Sequence, residues 1–128
     1  MSHRRCIETP NAPPPIGPYC QGNIAGPFVF TAETGAVDPK TGQLPPGGIG
    51  PQTSRLIDNV QAILQAGGCL LSDVAKVTVY LSDLANFQGM NAVYAERFKQ
   101  PYPARSIIIG PLPGEGALVA MDAIALRP

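Results

Sequence analysis

Pro103-Ala104-Arg105-Ser106-Ile107-Ile108-Ile109 is a short run of small and β-branched residues with one charge embedded in it. A proline precedes the run and Gly110-Pro111 ends it, which is the punctuation of a short, buried β-strand. Alternation along a strand puts Arg105, Ile107 and Ile109 on one face. A guanidinium keeps its charge, and burying it without an anionic partner is costly. Arg105 therefore has two readings. It pairs with a carboxylate of its own fold or reaches solvent, or it grips the carboxylate of a small ligand bidentately.

Upstream of this strand, Ser82-Asp83 can cap a helix whose apolar stripe is Phe87, Met90, Tyr94 and Phe98, closed by Pro101. Asn91 sits at the edge of that stripe. Before it, Val77, Val79 and Leu81 alternate with Lys76, Thr78 and Tyr80, so Asp73 to Leu81 reads as a half-exposed strand. Earlier still, Leu56, Val60, Ile63 and Leu64 recur at helical spacing. Pro51 fits the first turn of that helix and Gly67-Gly68 its stop. Downstream, after the Pro111–Gly114 turn, Ala117 to Leu126 is apolar on both faces, with Asp122 as its one charge. That composition suits a central or interface-covered strand.

The chain enters this framework through residues 10–18, where five prolines in nine residues favour an extended lead-in. Tyr19 to Ala25 and Phe28 to Ala32 read as two strands of a hairpin turned at Gly26-Pro27. Residues 33–37 continue it irregularly, and Asp38 to Gly42 and Pro45 to Gly48 are turn and loop chemistry. The order is β-β-α-β-α-β-β, with at least five strands. Two helices spaced this way cover one face of a single mixed sheet. The other face is then apolar and bare, which calls for cover by further subunits.

Composition narrows the function. The 128 residues suit one domain, spanning 1–128. Lys+Arg and Asp+Glu number 9 each, so there is no electrostatic case for nucleic acid or a membrane surface. No apolar run approaches the length of a membrane-spanning helix. Met1 to Arg5 carries basic residues with no apolar segment after them, and no secretory signal is expected. Cys6, Cys20 and Cys69 lack metal or disulfide spacing and read as reduced thiols of a cytoplasmic protein. His3, the single histidine, falls at a frayed end, which argues against a His-based triad or a His-rich zinc site.

A set of blocks in fixed order now identifies a likeness. They are Ile16-Gly17-Pro18-Tyr19 with Gln21-Gly22, Asp38-Pro39-Lys40-Thr41-Gly42, and Leu56 to Gly67. Then come Val77 to Phe87, Met90 to Tyr94, Pro103-Ala104-Arg105-Ser106, and Asp122 to Ala125. The chain resembles the Rid family, the YjgF-type imine/enamine deaminases, over roughly residues 10 to 127. The resemblance implies an α/β, chorismate-mutase-like subunit, with sheets forming a central barrel in a homotrimer and clefts between subunits. It implies hydrolysis of 2-imino acids and enamines to 2-keto acids and ammonia, with no metal or organic cofactor. Arg105 matches the family's carboxylate-gripping arginine, with the Ile107 main chain beside it. Tyr19 and Asn91 match cleft positions, and Ala32 and Glu33 match positions lining the cleft from the hairpin. With that context Arg105 reads as a ligand clamp.

The chain also departs from the family pattern. The family's last-strand glutamate is Ala120 here, two residues before Asp122. The usual cysteine after the arginine is Ile107. The usual serine-glycine of the hairpin is Ala32-Glu33. One carboxylate is lost and another gained in the same implied cleft. Glu33 is therefore the candidate acid/base group, the alternatives being a solvent-facing Glu33 or a Glu33–Arg105 pair. Asp122 either pairs structurally, with the main chain or an arginine, or reaches the cleft from the strand face it shares with Ala120; the alternative to a cleft Tyr19 is one packed by its ring with its hydroxyl in water. A non-catalytic carboxylate-binding trimer and an enzyme of altered chemistry (hydrolysis, tautomerisation or ring-opening) stand beside the deaminase reading. RNA cleavage does not suit a neutral chain with one terminal histidine.

Overall fold

A computed structural model describes residues 3–128, so the signal-segment reading of Met1 to Arg5 falls partly outside the described residues. The strands are β1 (Arg5–Ile7), β2 (Gly22–Ala25), β3 (Phe28–Thr31), β4 (Val74–Leu81), β5 (Ala104–Ile109) and β6 (Val119–Leu126). The helices are α1 (Ile49–Ala66) and α2 (Phe87–Arg97), with short 3-10 turns before β4 and α2. The strands form one sheet in the order β1-β2-β3-β6-β4-β5. Only β4 and β5 run parallel, joined by the α2 crossover.

The expected elements are present, with shorter ends. Gly26, at φ 59°, supplies the left-handed position that the two-residue turn between β2 and β3 requires. Gly22 lets β2 lie close under α1: a Cβ there would stand 2.8 Å from Ile63 Cγ2 and 2.8 Å from the Phe30 carbonyl oxygen. Asp83 caps the turn leading into α2, its carboxylate accepting from the Ala85 N–H.

One face of the sheet carries the core. Val29, Val77, Val79, Leu81, Met121 and Ala123 are buried against Leu56, Val60 and Ile63 of α1 and Met90 of α2. Arg97 ties α2 to α1 through Asp58 Oδ1 at 2.7 Å and the Ser54 carbonyl at 3.1 Å. As expected, β6 is central. The opposite face carries Phe28, Phe30, Tyr80, Ile108, Ile124 and Leu126, and four of these (Phe28, Phe30, Ile108 and Leu126) are exposed in the chain.

Three expectations are corrected. The N-terminus is not frayed from Arg5 onward, because β1 pairs with β2 at the sheet edge; a three-residue strand is too short for its alternation to show in sequence. The Arg105 strand is not buried: β5 is the other edge, and Ile108 and Ile109 are 50% and 45% exposed. Cys6 and Cys20 are not reduced thiols but a disulfide, linking β1 to the segment before β2. Their 14-residue separation is bridged by the proline lead-in folding back, which spacing alone does not reveal. Cys69 is free and buried. A disulfide is a bond of oxidising surroundings, so the cysteines no longer support a cytoplasmic location. No helix of the described residues is long and apolar enough to cross a membrane.

Candidate active site

Arg105 projects from β5 to the helix side of the sheet, as alternation requires, because it is paired in register with buried Val77. Its Nη1 donates to Asn91 Oδ1 at 2.6 Å. Its guanidinium lies 4.7 Å from the Tyr94 ring centroid and 5.7 Å from that of Phe87. All three partners are neutral, and no ion pair joins Arg105 to a carboxylate among the described residues. The cation is thus oriented by an amide and an aromatic face, with its charge unmatched. It opens on a cleft of about 430 Å³ lined by Asn91, Tyr94, Ala95, Tyr102, Pro103 and Arg105. The peptide bond before Pro101, which leads into this wall, is cis.

Tyr94 and Tyr102 also line this cleft; sequence patterning places Tyr94 in the apolar stripe of its helix and does not single out Tyr102. The available signal was spacing, since Asn91 and Tyr94 are three apart on one helix and share a face. Tyr94 Oη is buried with no hydrogen-bond partner among the described residues. Burial pushes the Tyr94 phenol up, opposed by the Arg105 charge. Ile107 is half-buried beside Arg105 on β5 and packs against the core.

The other expected site residues gather elsewhere. Tyr19, Ala32 and Glu33 line a small crevice with Gln21 and Ile63. Tyr19 precedes β2 and does not lie within it; it is exposed, and its hydroxyl accepts from the Ile16 N–H at 3.2 Å. Gln21 holds the lead-in behind it, accepting from the Thr9 N–H at 2.7 Å and donating to the Thr9, Ala12 and Pro13 carbonyls. Ala32 donates its N–H to the Gln21 carbonyl at 2.9 Å.

Glu33 owes its direction to a bulge. Phe30 pairs with Ile124 and Thr34 with Met121, so residues 31–33 stand against only 122 and 123. Thr31 Oγ1 accepts from the Ala123 N–H, which leaves Ala32 and Glu33 against Asp122. Glu33 is exposed and forms no ion pair with Arg105. Asp122 has a partner other than those expected: Tyr80 Oη donates to its Oδ2 at 2.6 Å. The pairing follows from register, because Thr78 opposes Asp122 and Tyr80 opposes Ala120, making Tyr80 and Asp122 diagonal neighbours on the open face. That hydrogen bond, then burial, then the charges of Asp122 and Glu33 push the Tyr80 phenol up to about 12.

The chain therefore brings Arg105, Asn91 and Ile107 together, and separately Tyr19, Ala32 and Glu33. Between β3 and β5 lie β6 and β4, three strand spacings or about 14 Å. Arg105 also lies on the helix side while Glu33 stands with Asp122 on the open side. No small ligand touches both groups within one chain.

Residues 9–127 match the model of the family described as Endoribonuclease L-PSP. The chain belongs to that family. It is the YjgF, RutC and Rid group that the ordered blocks resemble. Among its L-PSP relatives, a RutC family protein of Pyrococcus horikoshii is 46% identical over 125 residues, spanning 97% of this chain and 98% of that protein. The 2-iminobutanoate/2-iminopropanoate deaminase of Escherichia coli is 38% identical over 127 residues, spanning 96% of this chain and 98% of the enzyme. The solved structure of Escherichia coli TdcF with bound serine matches at a TM-score of 0.89 and 36% identity, covering 97% of this chain and 99% of that one. These matches accord with the six-stranded mixed sheet and two helices described above.

Proposed function

We propose that this L-PSP family protein is an imine/enamine deaminase whose site is completed between copies in a homotrimer. The observation that carries this is Arg105: a preset cation with neutral partners, open to a cleft that suits a small carboxylate. Two further features support it. The remaining candidate residues lie beyond β4 and β6, with Glu33 on the other face, so a second copy is needed to bring them to Arg105. The open sheet face exposes Phe28, Phe30, Ile108 and Leu126, which burial in a barrel of three sheets would cover.

In this reading Arg105 takes the substrate carboxylate through parallel hydrogen bonds and thereby fixes the adjacent imine carbon. Asn91 holds the guanidinium in place, and main-chain groups at Ile107 line the site. Tyr19, Ala32 and Glu33 come from the neighbouring copy. Water adds to the protonated imine: its oxygen bonds to carbon, the C=N pair moves to nitrogen, and Glu33 takes the water's proton. Glu33 returns that proton to nitrogen, the C–N bond breaks, and ammonia leaves. As the keto group forms, the hydroxyl proton passes to Glu33, which is a carboxylate again after protonating nitrogen, and from there to the released ammonia. No step calls for a metal or an organic cofactor.

Ala120 favours a second reading, a carboxylate-binding trimer without turnover, because it removes the carboxylate the family carries there. An imine-hydrolysis assay separates the two. A 2-imino acid is generated by an amino-acid oxidase and its loss followed with wild type, Arg105→Ala and Glu33→Gln. Acceleration by wild type alone supports the deaminase. Binding of a small carboxylate without acceleration supports the second reading.

A further inference from the structure

Ala120 itself has no group that could handle protons, yet its neighbours on the open face are polar. Tyr80 is its direct partner across the β4–β6 ladder, and Asp122 is two residues on, facing the same side. The bulge sets Glu33 against Asp122 from the other flank. Glu33, Asp122 and Tyr80 thus form a row across three neighbouring segments. The 2.6 Å hydrogen bond within this row has a defined direction, from the phenol to the carboxylate.

That direction has a chemical consequence. A tyrosine has one proton to donate, and here it is committed to Asp122. The phenolic oxygen can then only accept from anything else. An ionised Glu33 is likewise an acceptor only. A water between them donates one hydrogen to each and is left with a lone pair free to attack.

We propose that Tyr80 and Glu33 jointly hold the attacking water, with Asp122 as the positioning residue that keeps Tyr80 an acceptor. This rests on the deaminase reading and deepens it by assigning the water site that Ala120 would otherwise leave unfilled. As the water's oxygen bonds to the imine carbon, the C=N pair moves to nitrogen. The proton directed at Glu33 transfers to it, while Tyr80 keeps its own proton, donated in the hydrogen bond to Asp122.

The test is steady-state kinetics on Tyr80→Phe, Asp122→Ala and Asp122→Asn, each checked for wild-type fold by circular dichroism. Tyr80→Phe and Asp122→Ala should lower kcat about 10- to 100-fold and leave KM within about two-fold. Asp122→Asn keeps an acceptor oxygen for the phenol and should retain most of kcat. The Tyr80→Phe/Asp122→Ala double variant should be little worse than either single, as for two residues acting as one unit. Wild-type kcat in Tyr80→Phe, or equal losses in both Asp122 variants, would overturn the assignment while leaving the deaminase standing if Arg105→Ala remains inactive. Absence of turnover in wild type would overturn both.

Discussion

Arg105 and Asn91 meet at 2.6 Å, guanidinium to amide oxygen, and this contact orients the cation without neutralising it. An aspartate at position 91 would pair with Arg105 and compete with an incoming carboxylate. The neutral amide and the Tyr94 ring hold the fork in place and leave its charge for a ligand. Asn91→Ala should therefore raise KM about ten-fold with a smaller change in kcat. Arg105→Lys should lose more, because an ammonium reproduces neither the planar fork nor the stacking. Initial-rate measurements over a range of imino-acid concentrations check both. An Asn91→Ala variant with wild-type KM would show that the amide does not set the guanidinium.

The Cys6–Cys20 disulfide ties β1 to the segment carrying Tyr19. Closing a loop of this length restricts the unfolded chain and contributes about 3 kcal/mol in the chain-entropy model. Reduction, or Cys6→Ser with Cys20→Ser, should lower denaturant stability by about that amount and loosen Tyr19, raising KM. Equal stability with and without reductant would contradict the structural role.

Tyr80 links the open face to alkaline pH. Its phenol titrates near 10 in an unfolded chain and is pushed up to about 12 in the fold, chiefly by its hydrogen bond to Asp122. A raised folded value means that the folded state holds this proton more tightly. The resulting stability is fully present below about pH 10 and is lost as pH rises towards about 12. The stability gap between wild type and Tyr80→Phe should stay constant at lower pH and narrow across that window. A phenolate of Tyr80 forming together with those of solvent-exposed tyrosines would contradict the hydrogen bond.

Most of the fold was legible in the chain because its signals are local. The stripe from Leu56 to Leu64, the alternation from Lys76 to Leu81 and the doubly apolar run around Met121 each report burial directly. Arg105 was also legible, as a lone charge in a β-branched run. What was not legible depends on how distant segments meet. The three residues of β1 are too few to alternate, and the disulfide depends on the path of the proline lead-in. The bulge that sets Glu33 against Asp122 appears only when β3 is laid in register on β6. The Tyr80–Asp122 bond depends likewise on the β4–β6 register, which no local pattern encodes.

In the proposed deaminase the site is split between two copies of the chain. Mixing two inactive variants tests it most directly. Arg105→Ala and Glu33→Gln are each purified, combined, dissociated and reassembled together, and assayed for imine hydrolysis beside the unmixed parents. If Arg105 of one copy works with Glu33 of the next, about a quarter of the clefts in equally mixed trimers carry both native residues, and activity should return to about that fraction of wild type. Mixed assemblies as inactive as their parents, beside an active wild type, would contradict a site shared between subunits.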